Sequence, residues 1–522
     1  MLLIVAGGSA RLAQVVHEID PAFMALPMRS LADAALQRAR DLGADHADFR
    51  LERIRSQGLS LRDARLEGSH DGEDVGFAVR VLYRGTWGFA AAVDLTTDEA
   101  VRTAEQAVEL AKVASELSPV KVELADEPVH PDVTWVSAYD IDPFTVPDAE
   151  KIELLAEYSR RVLGQGGVDH VTASLSQVLE GKFYADTAGT VTTQQRVRLF
   201  PSFEALAVDA EAGRFDTMET LAAPAGRGWE YVTGADGVVD WTAALDELGP
   251  LLSEKLAAPG VEPGRYDVVI DPTNLWLTIH ESIGHATELD RALGYEANYA
   301  GTSFATLDQL GTLRYGSPVM HVTGDRTTPH GLSTIGYDDE GVQSQAWDIV
   351  RDGTLVGYQL DRAMARANSE ALGTSRSNGC AFADSPGHVP VQRMANVSLQ
   401  PAEGGPSTDD LVSRIDDGLY IVGNKSWSID MQRYNFQFTG QRAFRIHNGE
   451  LDGQVRDFAY QATTTDFWGS MEAVGGPQTY VLGGAFNCGK AQPGQIAPVS
   501  HGCPSALFRD TRILNTAHEG GQ

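Results

Sequence analysis

Two histidines flank a glutamate in the segment 274–290, NLWLTIHESIGHATELD, as His280, Glu281 and His285. Neutral imidazole is a preferred ligand of zinc, and a neighbouring carboxylate can take a proton from water activated at the metal. These residue types in this order point to a metal-dependent hydrolase. The common zinc-protease helix reads H-E-x-x-H, with its second histidine four residues on. Here Gly284 holds that position and His285 follows it. On a regular α-helix, residues five apart diverge by roughly 140° and about 7.5 Å, too far to share one ion. A one-residue bulge restores the common face, and Gly284 tolerates backbone distortion. The spacing therefore predicts a distorted turn at 283–285. Two ordinary helix histidines beside a solvated acid would satisfy the same pattern, so the rest of the chain must decide.

The elements that position this segment are legible around it. RYDVVIDP (265–272) reads as a strand, then Asp271 as a helix cap with Pro272 in the first turn. Beyond residue 299 the chain turns rich in Gly, Thr and β-branched residues. D-G and N-G hairpin signals at Asp352–Gly353 and Asn448–Gly449 predict a large antiparallel β domain. Upstream, residues 30–43 read as a helix stopped at Gly43. Strands follow, with a hairpin at Arg84–Gly85. A helix over 98–117 carries an expected buried stripe of Ala104, Ala107, Leu110, Ala111 and Val113. Residues 119–147 read as a linker or extended connection and 148–164 as a helix. A long alternating stretch after it predicts antiparallel strands with turns at Gly181–Lys182 and Ala188–Gly189. The fold class expected is α+β: N-terminal α/β domains, then a large, mainly antiparallel β domain carrying the metal-binding helix. The expected divisions are a loosely attached extension (1–27), an α/β domain (28–118), a central α+β domain (119–258) and a C-terminal metallopeptidase domain (259–522).

Composition narrows the function classes. The 522 residues carry a formal net charge of −31, which argues against non-specific binding to nucleic acid or an anionic membrane. No apolar run approaches the roughly 20 residues of a membrane span, and the apolar N-terminus lacks the basic start of a signal peptide. The three cysteines, Cys380, Cys488 and Cys503, are too few for a disulfide framework. They fit a reducing, cytoplasmic setting and leave thiolates available to a metal.

An ordered set of motifs raises the specificity of the reading. They are HESIGHATELDRA (280–292), GTSFA (301–305), YDDEGV (337–342), IVRDGTLVGYQLDR (349–362), SNGCAF with PVQRMANVSLQP (377–401), DDGLYIVG (416–423) and FNCGKAQPGQIAPVSHGCP (486–504). With them the chain resembles the TldD/PmbA family of zinc metalloproteases, on the TldD side, from residue 28 nearly to the end. The resemblance implies one zinc per chain held by His280, His285 and Cys488, with Glu281 as general base. It implies hydrolysis of peptides or unfolded protein segments inside a dimer cavity. The partner would be a second copy or a TldE/PmbA-like subunit. Cys503 is the competing third ligand, and Glu288 or Asp290 could imitate a carboxylate one; the acids are expected to form a helix's polar face or to orient the ligands. Cys380 is expected beside the cleft at best. The acidic run Asp338, Asp339 and Glu340 is expected to be solvated. His321, His330, His388 and His447 have no spacing argument for a role.

A peptidase also needs an oxyanion donor, and sequence leaves it open among a Tyr, Arg or His of the β region. An extended substrate could add to an exposed strand edge. The stretch NKSWSIDMQRYNFQF (424–438) departs from the family's Gly-rich pattern, and Trp427 and Tyr434 are expected to narrow the cleft or touch substrate. The competing function is a non-catalytic scaffold or modulator subunit of a TldD/TldE-like complex; retention of all four site residues favours the enzyme.

Overall fold

The computed structural model describes residues 18–519 except 493. The molecule is α+β, with two seven-stranded sheets as its main frames. The first sheet runs in the order Thr86–Ala92, Arg65–Tyr83, His46–Arg62, His170–Asp186, Val191–Asp209, Val133–Val136, with Arg214–Glu219 also paired to Val191–Asp209. Its hairpins turn where consecutive residues take positive φ: Asp63 and Ala64 at 50° and 62°, and Arg84 and Gly85 at 48° and 73°. Both central residues of a type I′ turn require that geometry. Strands from either side of residue 118 share this sheet, since His46–Arg62 pairs with Arg65–Tyr83 on one edge and His170–Asp186 on the other. Two hydrophobic clusters pack on it, one built mainly before that residue and one mainly after it.

Three local expectations are corrected. Residues 18–27 are not loosely attached: Phe23 is 1% exposed, and Asp20 pairs with Arg53. Residues 1–17 of the expected extension lie outside the described residues. Gly181–Lys182 is not a turn, because His170–Asp186 is one strand. Gly181 is instead the seat of the Phe23 ring, where a Cβ would lie 2.9 Å from ring carbons. The helix Thr97–Leu117 buries Ala100, Ala104, Ala107, Val108 and Ala111, but leaves Leu110 and Val113 exposed. A stripe of alanines suits its close approach to Thr86–Ala92, where Gly88 lies directly against Ala107 and Ala111.

The second sheet closes on itself. Asp417–Ile429 pairs in parallel with Gly264–Ile270; Gly264–Ile270 pairs with Ala506–Asn515, that strand with Phe458–Thr463, that one with Asn435–His447, and the last with Asp417–Ile429 again. The helix Pro272–Ile279 leaves the end of Gly264–Ile270, with Asp271 accepting from Thr273 N–H at 3.0 Å. Its Leu275, Leu277 and Ile279 enter the largest core, with Phe436, Phe438 and Tyr460. On its other side lies the two-stranded hairpin Val481–Lys490 and Gln495–Cys503, which carries Cys488.

The acidic run is not solvated. Asp338, Asp339 and Glu340 are buried, and they tie the first sheet to the C-terminal part. Asp339 accepts from Lys182 Nζ at 2.8 Å, and Glu340 lies 3.1 Å from Arg80 Nη1. Asp338 accepts from the backbone of Glu340, Val342 and Ala381. Burial, with Glu340 alongside, pushes the Asp338 carboxyl up to about 7. Sequence hides this because the pairing cations stand more than 150 residues upstream.

Candidate metal centre

The helix distorts where the histidine spacing requires. Regular α-helix ends at Ile279, and His285 N–H bonds to His280 C=O, five residues back. This wide turn over His280–Gly284 is followed by a tight one over His285–Thr287. The extra residue brings both imidazoles to one side, ring centroids 4.7 Å apart. Gly284 serves for a reason other than backbone freedom: its φ and ψ, −53° and −61°, are ordinary helical values. A Cβ there would sit 2.5 Å from Met394 Sδ, so glycine is needed for close packing.

His280, His285 and Cys488 present ligand atoms that all lie within 4.8 Å of one another, and all three are buried. Cys488 Sγ is 3.5 Å from His285 Nε2. Ligands at the usual zinc–nitrogen and zinc–sulfur lengths on a tetrahedral centre stand roughly 3.5 Å apart, so this pair fits one ion.

Hydrogen bonds fix which nitrogen each imidazole offers. His501 Nδ1 lies 2.8 Å from Val397 C=O and must donate to it. His501 Nε2 is then an acceptor for His280 Nδ1 at 2.7 Å, leaving the Nε2 lone pair of His280 free. His285 Nδ1 stands 2.9 Å from Glu288 Oε2, which frees His285 Nε2 toward Cys488. Both histidines thus carry an orienting partner on the rear nitrogen, as metal-ligating histidines usually do. Burial holds both neutral: His285 is lowered to about 3, and His280 well below its ordinary value, helped by its histidine neighbours. Burial pushes the Cys488 thiol up to about 11, although Arg393 opposes it. A cation must therefore displace that proton.

Glu288 and Asp290 support the centre and do not join it. Burial works against the Glu288 charge, but Lys490, His285 and Arg291 overcome it and hold the carboxyl well below its usual range. Lys490 Nζ reaches Glu288 at 3.2 Å, Asp290 at 2.8 Å and Gln392 C=O at 2.7 Å. Cys503 points elsewhere, its Sγ 3.5 Å from Pro272 C=O. Cys380 is buried against Arg326, with its thiol raised to about 11 by burial. His321, His330 and His388 have partners of their own, Asp348, Gly226 C=O and Asp384.

Glu281, next to His280, is buried, and burial raises its carboxyl above the usual range against the pull of Arg433 and Arg291. Its Oε2 lies 2.5 Å from Arg433 Nη1. Tyr434 packs on Phe304, ring centroids 5.3 Å apart. Trp276, one turn before His280, stacks on His501 and forms one wall of a cleft of about 270 Å³ with Phe200, Leu221, Val481 and Phe486. Sequence reasoning missed the roles of His501, Arg433 and Lys490. His501 and Lys490 lie inside the FNCGKAQPGQIAPVSHGCP motif, which was the available signal; Arg433 lies in the stretch that departs from the family pattern.

A buried set of two neutral imidazoles, a thiol and an adjacent carboxylate, on a distorted helix against a β hairpin, defines a metallopeptidase-type centre. The chain belongs to the PmbA/TldD metallopeptidase family: residues 263–515 match the PmbA/TldA metallopeptidase C-terminal domain and residues 47–111 match domain 1. A metalloprotease of Methanothermobacter thermautotrophicus is 28% identical over 477 residues, 90% of this chain and 96% of that protein. A zinc metalloprotease TldD homologue of Saccharolobus solfataricus is 24% identical, over 92% of this chain and 98% of its own. The fold is that of TldE from Thermococcus kodakarensis, with a TM-score of 0.67 at 15% identity, covering 92% of this chain and 99% of that one. Among the described residues, no helix is long and apolar enough to cross a membrane.

Proposed function

We propose that this chain is a zinc-dependent peptidase, with one zinc per chain held by His280, His285 and Cys488. The observation that carries the reading is the convergence of those three donors, each histidine locked in the tautomer that frees its Nε2. When bound, zinc supplies Lewis acidity to the water and the scissile carbonyl. The chain's own residues do the rest. Glu281 takes a proton from the attacking water and hands it to the leaving amine. Glu288 and His501 hold the imidazoles, and the surrounding core excludes bulk water. The substrate is a peptide or an unfolded segment, selected by access. The active form is a dimer with a second copy or with a TldE-like subunit, a reading supported by the likeness to TldE. Three free, buried cysteines suit a reducing cytoplasmic setting.

The test is zinc per chain by mass spectrometry, on protein purified without metal affinity, for wild type and Cys488→Ala, with peptide turnover for Glu281→Gln. Zinc near one per chain in wild type, its loss in Cys488→Ala, and zinc-loaded but inactive Glu281→Gln are expected. Metal-free wild type would favour the scaffold subunit, and full turnover by zinc-loaded Glu281→Gln would overturn Glu281 as the general base.

A further inference from the structure

Peptide hydrolysis at this centre needs a second donor for the carbonyl oxygen as charge builds on it. We propose that Arg433 is that donor, a catalytic residue that touches the reacting carbonyl; the inference rests on the peptidase reading above. Its guanidinium offers five N–H donors. In the structure Nη1 meets Glu281 at 2.5 Å and Nη2 meets Ala300 C=O at 3.3 Å, while Nε is buried with no partner. The pair with Glu281, the residue next to His280 in sequence, sets this group beside the general base. Donor capacity is therefore left over on the guanidinium that meets the proposed general base.

The chain holds Arg433 in position before substrate arrives. Its φ is +61°, a left-handed value that side-chain-bearing residues seldom adopt. Asp430 fixes the turn by accepting from the backbone N–H groups of Gln432, Tyr434 and Asn435 at 3.0, 2.9 and 3.0 Å. Thr464 Oγ1 donates to Arg433 C=O at 2.7 Å. On the other side the GTSFA segment straps the turn: Thr302 N–H meets Met431 C=O at 2.7 Å and Phe304 N–H meets Gln432 C=O at 2.9 Å. Gly301 permits that approach, since a Cβ there would fall 2.0 Å from Met431 O. A donor so fixed needs little reorganisation during reaction, which is what makes such groups effective.

The step balances without a further reactant. The water oxygen bonds to the carbonyl carbon, its proton passes to Glu281, and the C=O π pair moves to the oxygen, where Arg433 donates. The pair then returns, the C–N bond breaks, and Glu281 delivers the proton to the amine. Arg433 exchanges Glu281 for the carbonyl oxygen during this sequence.

The experiment uses the full chain with a peptide that wild type cleaves, comparing Arg433→Ala and Arg433→Lys for zinc content, kcat and KM. Zinc near one per chain in both variants is expected. In Arg433→Ala, kcat falls about 100–1,000-fold while KM moves less than about threefold. Added guanidinium ion restores part of kcat, and urea at the same concentration restores none. Arg433→Lys keeps the charge against Glu281 and falls between the two; it carries the test if the alanine variant does not fold. A zinc-loaded Arg433→Ala within about threefold of wild-type kcat overturns the inference alone, as does a loss that neither lysine nor guanidinium relieves. Wild type that cleaves no peptide overturns the peptidase reading and this inference with it.

Discussion

Zinc uptake by this centre should expel one proton, and the pH dependence of affinity measures it. Between pH 6 and 8 both ligand histidines are already neutral, His285 lowered to about 3 and His280 well below 6.5, each chiefly by burial. Cys488 is protonated throughout, its thiol pushed up to about 11 by burial with Glu288 and Glu281 adding to it. Only the thiolate binds metal, so zinc competes with a single proton. The sign follows: as pH rises the competing proton becomes scarcer and binding tightens. One displaced proton means tenfold in apparent affinity per pH unit, about a hundredfold from pH 6 to 8, or roughly 2.7 kcal/mol. Competition against a chromophoric chelator, corrected for its own titration, gives the slope of log affinity against pH. A slope near one is expected, and Cys488→Ala should bind more weakly with a flat profile. A slope near zero would mean a preformed thiolate. A slope near two would mean that a histidine is charged in the empty site, and the tautomer relay through His501 and Glu288 would be wrong.

Other consequences are measurable separately. Glu288→Gln removes the charge behind His285 and leaves Lys490 and Arg291 short of a partner, so zinc affinity should fall about 10–100-fold by the same chelator assay. Gly284→Ala drives a methyl into Met394 Sδ at 2.5 Å and should destabilise the fold by about 1–3 kcal/mol, read from the denaturant midpoint. Acid should weaken the protein with or without zinc, and more steeply with it, because the Cys488 thiolate also takes up a proton when zinc is lost. His280, His285 and His501 all have lowered pKa values, so the unfolded chain takes up protons first; stability present above 6.5 is lost as pH falls toward the folded values, by up to about 1.4 kcal/mol per unit for each histidine. Thermal melts at pH 7 and pH 5, with and without zinc, check this. Asp339→Ala takes the nearest carboxylate from Lys182, which keeps Glu52 and the Ala383 carbonyl, in the buried contact between the first sheet and the C-terminal part, and should cost about 1–3 kcal/mol in chemical unfolding.

The sequence by itself determined what is local. Asp271 and Pro272 start the histidine helix, the five-residue spacing demands its distortion, positive-φ pairs such as Arg84–Gly85 close hairpins, and the motif set points to the family. These depend on backbone geometry and residue chemistry within a few positions, which sequence displays directly. Tertiary structure decided everything that joins distant positions. It put Cys488 on a hairpin 203 residues from His285 and turned Cys503 away toward Pro272. It made His501 the orienting partner of His280, paired Arg433 with Glu281 across 152 residues, and buried the acidic run against Lys182 and Arg80. It also assigned Gly181 and Gly284 to close packing, where sequence suggested a turn and a tolerance of backbone distortion. Charges and small residues read as surface or turn signals when seen alone. Whether such a residue is solvated, paired or packed depends on which remote side chain the fold brings to it, and no short stretch of sequence carries that information.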